Sequence, residues 1–462
     1  MIYYNNKVKN IKIAYIGGGS RGWAWGFMSD LAMAKDISGD VYLYDIDKAA
    51  AQNNEIIGNK IKEVDDCNSV WNYKAVDTIG EALTGCDFVI ISILPGTFDE
   101  MESDVHAPEK YGIYQSVGDS TGPGGIIRAL RTVPMFIEIA NAIKKYSPKA
   151  WVINYTNPMT LCTATLYSAF PEIKAFGCCH EVFGTQKLIA KAVEEFAGIK
   201  QPERAEIKVN PIGINHFTWL TSAKYKDLDL IEIYSKFVDK YYDGYGKGSD
   251  DNWINNAFYS EQRVKFDLFR RFGYIAAAGD RHLAEFCPGD WYLKNPKQVN
   301  DWKFTLTTID WRRKDLKSRL ERSKRLASGE EHFTMVPTGE DGVNQVRALL
   351  GLQDLVTNVN IPNYGQIPNL PLGAVVETNA VFTDDKITPV FAGAIPESIY
   401  PLISRICGEQ EMIRRAAFTH DLNLVFQAFM SDPLVRLSSA EGKALFDEMI
   451  DNTKAYLKDY NI

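Results

Sequence analysis

The chain has 462 residues, 45% hydrophobic and 24% charged, and carries a formal net charge of −8. That acidic balance argues against nucleic acid or an anionic membrane as the main partner, while a local cationic pocket still admits an anionic small molecule. Seven irregularly spaced cysteines without a Cys-x-x-Cys pair exclude a zinc ribbon, and with no signal-peptide core and no apolar run near the ~20 residues of a membrane span they predict free thiols in a cytoplasmic protein.

An apolar run over 11–16 enters Gly17-Gly18-Gly19-Ser20-Arg21-Gly22, which fits G-x-G-x-x-G, and a helix is expected through Leu31 and Met33. Glycines there allow a tight turn and close approach of the backbone to a pyrophosphate on the helix amino terminus. Gly17, Gly19, Ser20 and Gly22 are therefore candidate dinucleotide contacts. A second strand over 41–44 ends in Asp45, about 20 residues past the last glycine. A carboxylate there accepts hydrogen bonds from ribose hydroxyls and repels a 2′-phosphate, which favours NAD over NADP; Asp47 is the alternative. The plainer reading is a glycine-rich turn beside a solvated Asp.

The spacing next predicts a helix over 48–64, a strand over 87–93 and a long loop over 94–122. A helix over 124–146, a strand over 150–155, a helix after Pro158, a strand over 174–179 and a helix over 183–196 follow. Strands alternating with helices imply a doubly wound parallel sheet with ligands at the carboxyl ends of its strands. The segments 94–122, 154–158 and 179–181 all follow such ends, so one cleft is expected to gather them. Past a soft boundary near residue 200 the pattern is less regular. It predicts antiparallel strands over 205–223, interrupted by Pro211-Ile212-Gly213, and a helix near 231–242. Further helices are expected around 254–273, 313–328, 341–356 and 397–431. The expected fold is α/β: a Rossmann-type NAD-binding domain over 1–200 and a mixed α+β domain over 201–462.

Several motifs suit chemistry. Cys178-Cys179-His180-Glu181-Val182 follows an apolar run, and His216 sits in Ile214-Asn215-His216-Phe217. A lone His among apolar neighbours is more often a hydrogen-bonded core residue. Paired with Cys179 it is a candidate metal ligand that leaves positions open for substrate oxygens, and the residue types do not choose among divalent metals. In Asn154-Tyr155-Thr156-Asn157-Pro158-Met159 the amides suit sugar hydroxyls or the nicotinamide ribose. Asn157 also suits a helix cap, with Pro158 at the first helical position. Asp119 lies in a glycine-rich stretch, 117–125, that opens the helix carrying Arg128 and Arg131. Asp280, Arg281, His282 and Glu285 are framed by small and apolar residues, which suits either a general base or a structural ion-pair knot.

With these motifs assembled, the chain resembles the NAD- and metal-dependent glycosidases of glycoside hydrolase family 4, over about residues 12–432. The resemblance rests on the Gly17–Gly22 fingerprint, Gly122-Pro123-Gly124-Gly125, Asn154–Met159, Cys179-His180, Asn215-His216, Asn369-Leu370-Pro371 and Val375-Val376-Glu377. Cys-His-Glu-Val is similar to the alpha-galacturonidase branch. Members acting on 6-phospho-sugars usually have Cys-Asp there, and an Arg in the loop where this chain has Leu94-Pro95-Gly96-Thr97-Phe98.

The resemblance implies a fold like that of lactate and malate dehydrogenases, a homodimer or homotetramer assembled through the second domain, bound NAD+, and a divalent metal, Mn2+, held by Cys179 and His216. Pro95 and Asn154 join the cofactor contacts. The implied reaction differs from paired-carboxylate hydrolysis. Hydride passes from C3 to NAD+, a base removes the C2 proton, the C1 substituent is eliminated, water adds at C1, and hydride returns. The implied acid is His180 or Asp119, and the base Asp280, with Tyr274 and Tyr292 nearby. Asn157 and His180 would contact substrate, and Arg281, His282 or Arg128 would receive a uronate carboxylate. Small pectin-derived alpha-galacturonosides are the expected substrates. The alternatives are an alpha-glucuronidase or alpha-galactosidase of the same type, an NAD-dependent hydroxy-acid dehydrogenase, or a non-catalytic NAD-responsive binding protein.

Overall fold

The structure, a computed structural model, describes residues 1–246 and 259–460. In the amino-terminal part, six strands run parallel: Lys7–Ile16, Ile37–Tyr44, Trp71–Ala75, Phe88–Ile91, Trp151–Asn154 and Lys174–Gly177. The second and third lie to one side of the first, and the fourth, fifth and sixth to the other. Chain order therefore reverses between Lys7–Ile16 and Phe88–Ile91, the switch point where such sheets hold ligands. Phe88–Ile91 is buried along its whole length, as an apolar run covered by helices on both faces must be. The helices Trp23–Met33, Lys48–Ile61, Gly122–Tyr146, Met159–Ala169 and Glu181–Ala197 lie between these strands or after the last.

The sheet does not stop at the sixth strand. Leu355–Pro362 joins it antiparallel, pairing Asn360 with Gly177. Val375–Thr383, Lys208–Ile214, Phe217–Tyr225 and Leu228–Asp229 continue the same sheet. The apolar core crosses that seam too: Leu326, Val346, Val359 and Phe382 share one cluster with Ile13, Tyr15, Val41 and Leu43. A second cluster joins Ile127 and Leu130 to Phe217, Trp219 and the carboxyl-terminal helices.

Several expectations need correction. The segment 94–122 is not a plain loop, because Phe98–His106 is a helix started by a capping box between Thr97 and Glu100. Met101 and Val105, one turn apart, pack it against Ile309. Pro211-Ile212-Gly213 does not interrupt its strand; a register shift between Val209 and Pro211 absorbs the proline. The helix expected over 341–356 ends at Leu349 and gives way to the strand Leu355–Pro362. The stretch 397–431 holds two helices, Tyr400–Thr419 and Leu422–Ser431, broken at His420 in the left-handed region and restarted by the Asp421 cap. The helix expected over 254–273 is Arg263–Phe272 in its described part, and 254–258 lie outside the described residues. Among the described residues no helix is long and apolar enough to cross a membrane.

Candidate active site

The glycine turn sits at the carboxyl end of Lys7–Ile16. Gly17 has φ 90, and a Cβ there would stand 2.0 Å from the Ser92 carbonyl oxygen. At Gly19 a Cβ would meet the Ala50 Cβ at 2.6 Å and Asp45 Oδ2 at 2.9 Å. The Gly19 amide instead donates to Asp45 Oδ2 at 2.8 Å, while Asp45 Oδ1 accepts from the Asp47 amide at 2.9 Å. Asp45 thereby ties the second strand to the turn. Asp47 caps the next helix and pairs with Arg21.

Nothing in the sequence pattern singled out Asn54, yet its buried amide braces the turn. Its Nδ2 donates to the carbonyls of Gly18 and Ser20 at 2.7 and 2.9 Å, and its Oδ1 accepts from Trp25 Nε1 at 2.8 Å. Replacing Asn54 with alanine strands these partners away from water. A stability loss of about 2 kcal/mol is expected, readable by urea denaturation; an unchanged midpoint would show that the brace carries no weight.

Other expected contacts are already occupied. The Pro95 carbonyl accepts from Arg131 Nε at 3.1 Å, and the guanidinium continues into a buried pair with Asp104. That cation supports the loop from below and is committed to a carboxylate. The Asn154 amide closes on its own loop, accepting from the Thr156 amide at 2.9 Å and donating to the Thr156 carbonyl at 3.1 Å.

The chemistry-bearing loops meet around Asp119. Asn157 Nδ2 donates to Asp119 Oδ2 at 3.3 Å, and the Asn157 carbonyl accepts from Arg128 Nε at 3.3 Å. Asn157 is therefore not a cap: Pro158 occupies the cap position, and the helix starts at Met159 without a side-chain cap bond. Ser120 Oγ donates to Asp119 Oδ1 at 2.8 Å and lies 3.2 Å from His216 Nδ1. The His216 ring stacks on that of His282, with centroids 4.0 Å apart and planes at 17°. His282 in turn faces Glu181 at 3.7 Å, and Glu181 accepts from the Gly279 amide at 2.7 Å.

This packing sets the protonation states. Burial alone would raise the Asp119 carboxyl, but Arg128, His282, His216 and Arg312 outweigh it and hold the group well below the carboxylate range. Burial and the neighbouring His282 push His216 down to about 3. His180 goes the other way: burial opposes charge, yet its Nδ1 pairs with Glu340 and the group rises to about 9. Burial, reinforced by Glu377, Glu181 and Glu340, pushes the Cys179 thiol far up.

Cys179 and His216 come from loops that one buried carboxylate fastens together. Asn358 Nδ2 donates to the Cys179 carbonyl at 3.2 Å and to Glu377 Oε1 at 2.7 Å. Glu377 Oε2 accepts from Thr218 Oγ1 and from Asn215 Nδ2, beside the cis peptide that leads into His216. Among the described residues no group of three or more His, Cys, Asp or Glu is placed to hold a metal ion. Cys179 and His216 could together supply two ligands at most, short of the four of a closed structural site.

The 280–285 cluster divides. His282 joins the stack, whereas Glu285 accepts from the amides of Val117 and Gly118 at 2.7 and 2.9 Å and so holds the Asp119 loop. Arg281 donates to Thr307 Oγ1 and to the Ser116 carbonyl. Asp280 is fully buried at the start of its helix, and its Oδ1 accepts from the Lys265 amide at 3.0 Å. The charge of Lys265 faces both Asp280 and Glu181. Arg312, which donates to the Val117 carbonyl at 3.0 Å, is a cation beside Asp119 that the sequence pattern did not mark.

The model for the Family 4 glycosyl hydrolase matches residues 12–195, and that for the Family 4 glycosyl hydrolase C-terminal domain matches 211–435. An alpha-galacturonidase of Thermoanaerobacterium saccharolyticum is 62% identical across 100% of both chains. A crystal structure of a Bacillus subtilis protein has a TM-score of 0.90 and 52% identity, covering 96% of this chain and 100% of that one. The 6-phospho-beta glucosidase from Thermotoga maritima, solved with manganese, NAD+ and glucose-6-phosphate, has a TM-score of 0.75 at 20% identity and covers 96% and 99%, a likeness of fold.

Proposed function

The chain belongs to the family 4 glycosyl hydrolases, and from that premise we propose that it hydrolyses small alpha-galacturonosides of the kind released from pectin. The observation that carries the reading is the full-length 62% identity to a protein named alpha-galacturonidase, together with Cys179-His180-Glu181-Val182 at the heart of the site.

Gly17, Gly19, Ser20 and Gly22 with Asp45 form the cradle for NAD+, bordered by Pro95 and Asn154. The tight turn, in which a Cβ at Gly17 or Gly19 would collide with Ser92 or Ala50, has the form that lets backbone approach a pyrophosphate and supports that fit. Cys179 and His216 would hold a divalent metal, for which we take Mn2+. When bound, these groups supply hydride uptake and return at C3 and polarisation of the neighbouring oxygens. Residues 1–200 then serve the dinucleotide, and 201–462 complete the substrate side and carry the homo-oligomer contacts. Free cysteines throughout suit a cytoplasmic location.

Of the two acid candidates we favour His180. Both oxygens of Asp119 act as acceptors in the cluster, whereas His180 keeps Nδ1 on Glu340 and leaves Nε2 for the leaving oxygen, on a side chain 29% exposed. Asp280 is the proposed base on the strength of the resemblance; it is fully buried with Oδ1 on the Lys265 amide, and burial raises its affinity for a proton. Asn157 and His282, at the edges of the Asp119 cluster, are assigned to substrate hydroxyls.

The test is a panel of nitrophenyl alpha-galacturonide, alpha-glucuronide and alpha-galactoside, each with and without NAD+, Mn2+ and a thiol reductant. Preference for the galacturonide by at least ~10²-fold is expected, since a site built for a polar group rejects substrates lacking it. Hydrolysis of none of the three would remove the glycosidase reading, and a preferred galactoside would move the substrate. Steady accumulation of NADH would point to a dehydrogenase.

A further inference from the structure

We propose that Ser120 decides which ring nitrogen of His216 carries the proton, acting as a positioning residue between Asp119 and the imidazole. The Ser120 hydroxyl lies 2.8 Å from Asp119 Oδ1 and 3.2 Å from His216 Nδ1, and it has one hydrogen to give. Two arrangements are open to it. If the hydrogen goes to His216, a half-buried carboxylate oxygen loses its donor. If it goes to Asp119, the bond formed is charge-assisted, roughly twice as strong as a neutral one, and the serine oxygen is left with lone pairs facing His216.

The second arrangement gives Asp119, Ser120 and His216 Nδ1 each a partner. Asp119 Oδ2 is already an acceptor for Asn157 Nδ2 at 3.3 Å, so the carboxylate has acceptor work on both oxygens. A neutral His216 must then keep its proton on Nδ1 and its lone pair on Nε2. Ser120 and His216 are each 4% exposed, so the contact between them is shielded from water, while the Asp119 carboxylate on the other side of the serine is half-buried. His282, stacked at 4.0 Å, holds the plane of the ring, and Glu285 holds the loop beneath Asp119 through the amides of Val117 and Gly118. Ser120 thereby leaves the Nε2 lone pair of His216 free, the form in which the imidazole would serve a divalent metal. The consequence for metal affinity rests on the assignment of His216 as a ligand; the tautomer itself does not.

The chain has six histidines, few enough for histidine-selective 15N labelling and long-range proton–nitrogen correlation of the metal-free protein, with His216 assigned through His216→Gln. The expected result is an Nδ1–H tautomer in the unmutated protein and a shift to Nε2–H, or to a mixture, in Ser120→Ala. Mn2+ affinity, followed by the EPR signal of the free ion, should fall 10–100-fold in Ser120→Ala, stay near the original in Ser120→Thr, and leave NAD+ affinity within about twofold. An Nε2–H tautomer in the unmutated protein overturns the proposal, as does a tautomer unchanged in Ser120→Ala. If Ser120→Ala also loses NAD+ binding, the unmutated spectrum alone decides. Absence of Mn2+ binding in the unmutated protein removes the metal reading and leaves the tautomer result standing.

Discussion

Replacing Cys179 with serine is expected to cut alpha-galacturonide hydrolysis by ~10²–10³-fold or more while NAD+ binding is retained. Such a loss corresponds to removal of one preorganised stabiliser of developing charge, about 2.7–4 kcal/mol. Cys179 is 6% exposed, and its backbone is fixed by Asn358, so the variant loses a soft donor without moving the loop. Cys178 does not replace it, because that thiol is directed to Glu340 Oε2 at 3.8 Å. The measurement is kcat/KM across a Mn2+ titration, with NAD+ affinity as the control for folding. A variant that keeps half its activity, or an unmutated enzyme indifferent to chelation, would remove Cys179 from the metal shell.

Asp104→Ala is expected to have the largest effect on stability, about 3–5 kcal/mol. The side chains of Arg131 and Asp104 are 0% and 1% exposed. Arg131 also donates to the Pro95 carbonyl at 3.1 Å and to Thr453 Oγ1 at 3.3 Å, so one guanidinium links the loop after the fourth strand to the end of the last long helix. Truncating the aspartate leaves that charge buried and unpaired. The double variant Asp104→Leu/Arg131→Met removes both charges and should cost less than the single change, since contacting residues are not additive. Urea denaturation of the three proteins tests this; an Asp104→Ala loss below ~1 kcal/mol would mean that water reaches the guanidinium.

Local signals were readable where the chemistry is local. The Gly17–Gly22 turn, Asp45 beside it and most of the alternation of strand and helix to residue 197 follow from spacing, the strand Trp71–Ala75 and the helix Ile79–Leu83 being unanticipated, and they place the Asp119, Asn157 and Cys179 loops at strand ends of one sheet. The helix Phe98–His106 was also locally encoded, in Thr97 and Glu100, but its acidic first turn obscured the apolar pair Met101 and Val105. The partners that set the site's electrostatics lie far away in the chain. Glu340 reaches His180, Glu377 bridges to Asn215, and Arg312 reaches the Val117 carbonyl across nearly two hundred residues. No periodicity reports such contacts, because they exist only after the second half has folded over the first. Strands Leu355–Pro362 and Val375–Thr383 escaped notice for a related reason: each carries Asn or Glu among its apolar residues, and those polar side chains are the ones that the site consumes.

The pairing of Asn360 with Gly177 has a mechanical consequence. Many two-lobed enzymes capture substrate by swinging one lobe about a hinge, at the expense of a few soft backbone dihedrals. Here the ladder runs through the place where a hinge would lie, two residues before Cys179, and Leu326, Val346 and Phe382 lock the seam from within. A swing would break sheet hydrogen bonds and open the core together. Entry and exit of the sugar are therefore expected to rely on loops and side-chain rotation around a sheet that stays whole.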